Sequence, residues 1–271
     1  MEIRMLGRLD VVQDGSPVPG LSLEEFANLA CSIVVMVPHR PSEGVDGSFI
    51  LNSGQWALWG MNVAPVDDPF GGEIAATRGN MAKSFLTICR QRPHFKYLVM
   101  IDNDQVVEPL HPIQLAMWDE PIVTGVVCSP SEHGILKACF TVKDENGVAR
   151  FPTIRYTQKL PTRGLMEINS CGTGLICIRR DVIEAVVARN EIPFKIPDAI
   201  RDQCWDSGTM KIGEDIAFCR QAQDSGFKIY VDFAVRAVHK KTTAFYWPEQ
   251  LLDQSLDART FKVDSRDYVH E

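Results

Sequence analysis

The chain has 271 residues, 45% of them apolar and 23% charged, with a formal net charge of −7. That is ordinary composition for a chain that builds a sizeable core, as one large domain or two small ones. The acidity argues against a broadly basic surface gripping nucleic acid non-specifically, although a local basic groove is compatible with it.

Met1 to Arg8 alternates charged and apolar residues and lacks the apolar core of a secretion signal. The longest apolar stretch, around residues 29–38, is too short to span a bilayer. Eight scattered cysteines form no C-x-x-C pair, which reads as reduced core thiols in a cytoplasmic protein.

In chain order, residues 1–30 read as an N-terminal extension: a β-type start, a Gly/Pro-rich turn, and a brief helix over 22–30. Ser22, with Glu24 and Glu25 behind it, marks the helix start. Residues 33–37 (Ile-Val-Val-Met-Val) are a buried strand ending at Pro38-His39-Arg40-Pro41, where two cations suit an anionic ligand. A helix over 46–59 follows, then a strand over 61–66 ending in Asp67-Asp68-Pro69, and a helix over 73–90 carrying Arg78.

Tyr97-Leu98-Val99-Met100-Ile101 is the next strand, running straight into Asp102-Asn103-Asp104. A continuous apolar run of this length reads as a central strand, and ligands of open α/β sheets sit at such ends. Alternate residues of an extended segment point the same way, so the two carboxylates converge on one point. They repel unless a cation lies between them, and a hard divalent cation with a bound phosphate is the natural guest. The alternative is a strand cap followed by a turn residue.

Beyond this point the spacing predicts a helix over 110–119, a strand over 121–127, and a hairpin over 141–149 turning at Asn146-Gly147. A loop over 159–164 precedes Cys171-Gly172-Thr173-Gly174, which opens into an apolar strand. It is no dinucleotide fingerprint, because the third glycine is missing and a strand follows. Asp181 is read as capping a helix over 182–189. An irregular stretch over 190–212 holds Trp205, Gly213-Glu214-Asp215 starts a helix over 216–224, and Gly226 stops it. Strands over 227–231 and 234–239 bring in His239. The alternation of strands and helices predicts a doubly wound α/β architecture.

The ordered set resembles a glycosyltransferase of the GT-A fold, closest to the family-two nucleotide-sugar transferases, over roughly residues 31–243. The resemblance rests on His39-Arg40 after the first strand, Asp67-Asp68 after the second, and Ala75-Ala76-Thr77-Arg78-Gly79-Asn80. It continues through Asp102-Asn103-Asp104 as the DXD motif, the segment from Cys171 to Asp181, Gly213-Glu214-Asp215 as the E-D motif, and His239. One departure is Asp68-Pro69-Phe70 where the family usually has Asp-Gly-Ser.

The resemblance implies a single GT-A (Rossmann-like) domain over 31–245, with a mixed central sheet flanked by helices and a C-terminal tail over 246–271. Residues 31–130 would form the nucleotide-sugar half and 131–245 the acceptor half. It implies donor contacts from Pro38, His39, Arg40, Asp67, Asp68, Arg78, Asp102 and Asn103. Acceptor contacts would come from Gly172, Thr173, Gly174, Trp205 and Glu214. Mn²⁺ or Mg²⁺ would sit on Asp104 and His239, with Asp102 toward the metal or ribose, and Asp215 would be the base with Glu214 beside it. The reaction the resemblance implies is transfer from a nucleotide-diphosphate sugar to a hydroxyl, with inversion. The acceptor stays open among a saccharide, a metabolite, a protein and a hydroxylated DNA base, and a lipid acceptor would require peripheral docking. Two other readings remain: a sugar-1-phosphate nucleotidyltransferase, for which Pro38-His39-Arg40-Pro41 is a poor phosphate loop, and a non-catalytic nucleotide-sugar-binding module.

Overall fold

The computed structural model describes residues 18, 20–39, 47–67, 74–130, 136–143, 146–151, 160–189, 191–196, 213–241, 244–246 and 252–258. Arg40, Asp68 and Trp205 lie outside them, and of His39 and Asp67 only the backbone is described.

The chain opens with α1 (Leu23–Cys31), β1 (Ile33–His39), α2 (Gly47–Leu58), β2 (Asn62–Asp67), α3 (Ile74–Gln91) and β3 (Tyr97–Ile101). Next come β4 (Gln105–Val106), α4 (His111–Ala116), β5 (Ile122–Val126), β6 (Cys128–Pro130), β7 (Leu136–Ala138), β8 (Phe140–Lys143) and β9 (Ala149–Arg150). Then follow β10 (Leu160–Pro161), β11 (Leu165–Ile168), β12 (Ser170–Cys171), β13 (Leu175–Arg179), α5 (Arg180–Ala188), α6 (Glu214–Asp224), β14 (Ile229–Arg236), β15 (Val238–Lys241), β16 (Ala244–Tyr246) and β17 (Leu252–Asp253).

The central sheet has seven strands in the order β11-β14-β5-β13-β3-β1-β2. β1 pairs in parallel with both β2 and β3, whereas β13 runs antiparallel to both β3 and β5. This is the α/β layering that the strand–helix alternation predicts, with the mixed central sheet that the resemblance implies. Every residue of β3 is buried, because helices cover both faces of the sheet. Leu98 and Met100 face a cluster with Met81 and Phe85 of α3 and Phe218 of α6. Val99 and Ile101 face the opposite cluster, with Trp56 of α2 and Ile113 of α4. Each fully buried apolar side chain of this size contributes roughly 1.5–3 kcal/mol, so β3 is fixed from both sides and its end is a rigid platform.

Helix ends follow local chemistry. Ser22 and Glu25 form a reciprocal capping box on α1. Gly226 takes φ +88° just beyond α6, the left-handed stop that glycine supplies without a Cβ clash.

The structure departs from expectation in several places. Asp181 does not cap α5: the helix starts at Arg180 with Arg179 in the cap position, and Asp181 sits in the first turn bonded to Arg179. Helix α4 is much shorter than residues 110–119. The strands expected over 227–231 and 234–239 are instead β14, with a register shift between Asp232 and Arg236, followed by β15. The loop read at 159–164 contains β10, which pairs with β17. Among the described residues seven cysteines are free, most of them buried. No helix among them is long and apolar enough to cross a membrane.

Candidate active site

The site is built on the C-terminal end of β3. Asp102 N–H donates to the Gly174 carbonyl at 3.0 Å, which ties the turn to the glycine segment before β13. Gln105 N–H donates back to the Asp102 carbonyl at 3.0 Å, closing a tight turn around Asn103 and Asp104. β4 then pairs antiparallel with β15, placing His239 opposite Gln105, and Lys240 N–H donates to the Asp104 carbonyl at 2.8 Å. Backbone pairing thus carries His239 to the turn from 135 positions away.

His239 Nε2 lies 3.0 Å from Asp104 Oδ2, and its Nδ1 lies 3.0 Å from the Cys128 carbonyl oxygen. A carbonyl can only accept, so Nδ1 carries a proton; Nε2 is then either a donor to Asp104 Oδ2 or, when unprotonated, a lone pair that a cation can use. Two electron-pair donors face each other there, and a proton or a cation between them resolves the clash. A carboxylate oxygen beside an imidazole nitrogen is a donor set that suits Mn²⁺ better than Ca²⁺ or Mg²⁺, which prefer oxygen alone. The Cys128 carbonyl is the orienting outer contact that such a ligand histidine needs. Gln105 adds a second one, donating from Nε2 to Asp104 Oδ1 at 3.3 Å. Its Oε1 is buried and has no partner among the described residues.

Asp102, expected to share the metal, is held differently. Arg78 Nη2 donates to Asp102 Oδ1 at 2.7 Å and Oδ2 at 2.9 Å, while Nη1 donates to Glu214 Oε1. Among the described residues no three His, Cys, Asp or Glu side chains converge as a ligand set. Asp104 and His239 therefore meet as a pair, and Asp102 faces a built-in arginine. Arg78 itself, expected to reach phosphate, is only 6% exposed, with both terminal nitrogens on carboxylates. Burial disfavours its charge, but Asp102 and Glu214 outweigh that and raise its pKa above the ordinary arginine value.

Glu214 and Asp215 form the first turn of α6, where the helix dipole favours carboxylates. Asp215 Oδ1 accepts from Ile216 N–H at 2.7 Å. Burial pushes the Asp215 carboxyl above the usual range, and the neighbouring Glu214 charge adds to this. Gly213 lets the carboxylate fold back over the helix start: a Cβ there would stand 2.5 Å from Asp215 Oδ1. A Cβ on Gly172 would lie 3.6 Å from Asp215 Oδ2, so the glycine segment and the α6 start line the same space. Thr173 is buried, its hydroxyl without a partner among the described residues.

At the front of the site Pro38 is buried in β1, and the backbones of His39 and Asp67 are paired across β1 and β2. Asp102 and Asn103 also border a crevice walled by Val37, Phe49, Trp56 and Ile101. Sequence reasoning missed Gln105, the Cys128 carbonyl and the Arg78–Glu214 link. The position of Gln105 next to Asp104 was the one signal available; a backbone carbonyl leaves none.

Among solved structures the chain is similar to A197 from STIV, at 16% identity over 83% of this chain and 96% of that one, TM-score 0.49. It is similar to GalNAc-T7, crystallised with UDP, GalNAc and Mn²⁺, at 12% identity over 78% of this chain, TM-score 0.45. The match spans 43% of the GalNAc-T7 chain. A glycosyltransferase involved in glycosylation of the major capsid of PBCV-1 matches at 13% identity over 74% of this chain and 91% of that one, TM-score 0.32. No family model and no curated protein matches the sequence.

Proposed function

We propose that the chain is a metal-dependent glycosyltransferase of the GT-A type, moving a sugar from a nucleotide-diphosphate sugar to an acceptor hydroxyl with inversion. The observation that carries the reading is the Asp104–His239 pair, a carboxylate oxygen and an imidazole nitrogen 3.0 Å apart at the end of the central strand.

In this reading Asp104 and His239 would hold Mn²⁺ or Mg²⁺, which would supply Lewis-acid neutralisation of the diphosphate leaving group. The Cys128 carbonyl and Gln105 fix the two ligands, so no reorganisation is needed when charge develops. Asp102, 26% exposed at its side chain, faces the ribose or a metal-bound water. Pro38, His39, Asp67 and Asn103 are proposed for the donor side, with Arg78 acting through Asp102. Gly172, Thr173 and Gly174 are proposed for the acceptor side. Arg40, Asp68 and Trp205, outside the described residues, keep the donor and acceptor roles expected from the sequence.

Asp215 takes the acceptor proton. An isolated carboxylate is a weak base toward a hydroxyl; burial and Glu214 raise its proton affinity toward the task. As the acceptor oxygen bonds to the anomeric carbon, the bond to the diphosphate breaks, and the hydroxyl proton passes to Asp215. One base and no covalent intermediate give inversion. The acceptor class spans a saccharide, a metabolite, a protein or a hydroxylated DNA base.

The test is Mn²⁺-dependent transfer or hydrolysis of UDP-, GDP-, ADP- and TDP-sugars. Wild type is expected to consume one of them, and D104A to lose that activity. D215N is expected to lose transfer while still binding donor. Full activity in D104A or D215N would overturn the assignment. Release of pyrophosphate from a nucleoside triphosphate and a sugar phosphate would instead indicate a nucleotidyltransferase.

A further inference from the structure

We propose that Arg78 is a positioning residue that couples the donor-side turn to the acceptor-side helix, so that what engages Asp102 is transmitted to Glu214. Three elements distant in sequence meet on one guanidinium: α3 supplies it, the turn after β3 supplies Asp102, and the first residue of α6 supplies Glu214. Nη2 is committed to Asp102 and Nη1 to Glu214, while the buried Nε has no partner among the described residues. The orientation of the planar fork is therefore set by the two carboxylates.

Both oxygens of Asp102 accept from the same nitrogen. A sugar hydroxyl or metal-bound water that engages Asp102 competes with Nη2, and the arginine charge then falls more heavily on Glu214. By reciprocity, a change at Glu214 alters what Asp102 offers a donor. The donor part of this statement rests on the glycosyltransferase reading; the coupling between Asp102 and Glu214 does not.

The test is a double-mutant cycle of D102N and E214Q, run with Arg78 and again in R78Q, read by urea unfolding of the full chain. With Arg78 present the two substitutions are expected to be non-additive by about fivefold or more in the unfolding constant. In R78Q they should add within about twofold, the scatter of independent sites. R78K is expected to keep the fold but lose the non-additivity, since an ammonium cannot hold two carboxylates in a fixed fork.

A second readout is titration with UDP, GDP, ADP and TDP in Mn²⁺ and no acceptor. E214Q should change the affinity of the nucleotide that binds at least threefold with Arg78 present, and less than twofold in R78Q. Additivity with Arg78 present, equal non-additivity in R78Q, or an affinity indifferent to E214Q would overturn the proposal. Binding of no nucleotide by wild type would count against the glycosyltransferase reading, and the unfolding cycle would still decide the coupling.

Discussion

The two carboxylates of the Asp102-Asn103-Asp104 turn sit one residue apart and are compensated in opposite ways. Asp102 has its countercharge built in: a buried arginine donates to both of its oxygens. Asp104 meets the imidazole of His239, whose Nδ1–H is committed to the Cys128 carbonyl and whose Nε2 lies 3.0 Å from Asp104 Oδ2. One half of the turn is electrostatically complete in the protein alone. The other half is where the proposed cation would bind. The sequence pattern treats the two aspartates alike; packing sets one against a buried arginine and the other against an imidazole.

The largest expected effect breaks the complete half. R78M strands Asp102 and Glu214 near each other without their cation. Removing one partner of a buried ion pair costs about 3–5 kcal/mol. Urea unfolding should therefore show a clearly lowered midpoint, and a wild-type midpoint would mean that Arg78 is not the electrostatic centre of the site.

The Asp104–His239 half should respond to ligand rather than to truncation. Mn²⁺ with a bound nucleotide at a hundredfold excess over Kd adds about 2.7 kcal/mol of stability, read as a rise in Tm that EDTA reverses. D104N and H239A should lose that rise while keeping Tm near wild type in EDTA. Equal metal-induced shifts in wild type and both variants would place the cation elsewhere.

A smaller effect sharpens the acceptor side. Gly213 has φ −70°, a conformation open to alanine, so G213A adds no backbone strain. Its Cβ does displace Asp215. A misplacement of about 1 Å costs up to roughly a hundredfold in rate. We expect kcat to fall about ten- to a hundredfold with little change in urea midpoint. Unchanged kcat would remove Asp215 from the role of base.

The smallest effect concerns Asp215 and pH. Its folded-state pKa is raised above the ordinary value of 3.8, so ionising it opposes folding. That cost is fully present above the raised folded value and vanishes below the ordinary one. D215N should thus be slightly more stable than wild type at neutral pH, on the order of 0.5–1 kcal/mol. The gain should disappear as pH falls through the window between the two values. In activity, the same shift places the acid limb of kcat/KM above the ordinary carboxylate range. A limb at or below 3.8 would contradict it.

Much of the frame was legible in the sequence because it is written locally. The apolar runs of β1 and β3 are continuous, since both faces of each strand are covered, and the carboxylates at the end of β3 mark the platform. Gly213 and Gly226 bracket α6 through ordinary cap chemistry. What escaped depends on contacts far apart in the chain. The two-residue strands β4, β10 and β17 carry no periodicity of their own and exist through their partners. Nor does any local signal say that Arg78 meets Glu214, 136 positions away. An arginine near a DXD motif reads as a phosphate contact until packing reveals two carboxylates on its fork.

The most direct test of the central claim is Mn²⁺ binding, followed by electron paramagnetic resonance in the presence of UDP, GDP, ADP or TDP, for wild type, D104N and H239A. We expect one bound Mn²⁺ in wild type with one of these nucleotides, and loss of the bound signal in both variants. A bound signal that survives in D104N and H239A, or none in wild type with any of the four nucleotides, would contradict the assignment of Asp104 and His239 as the metal ligands.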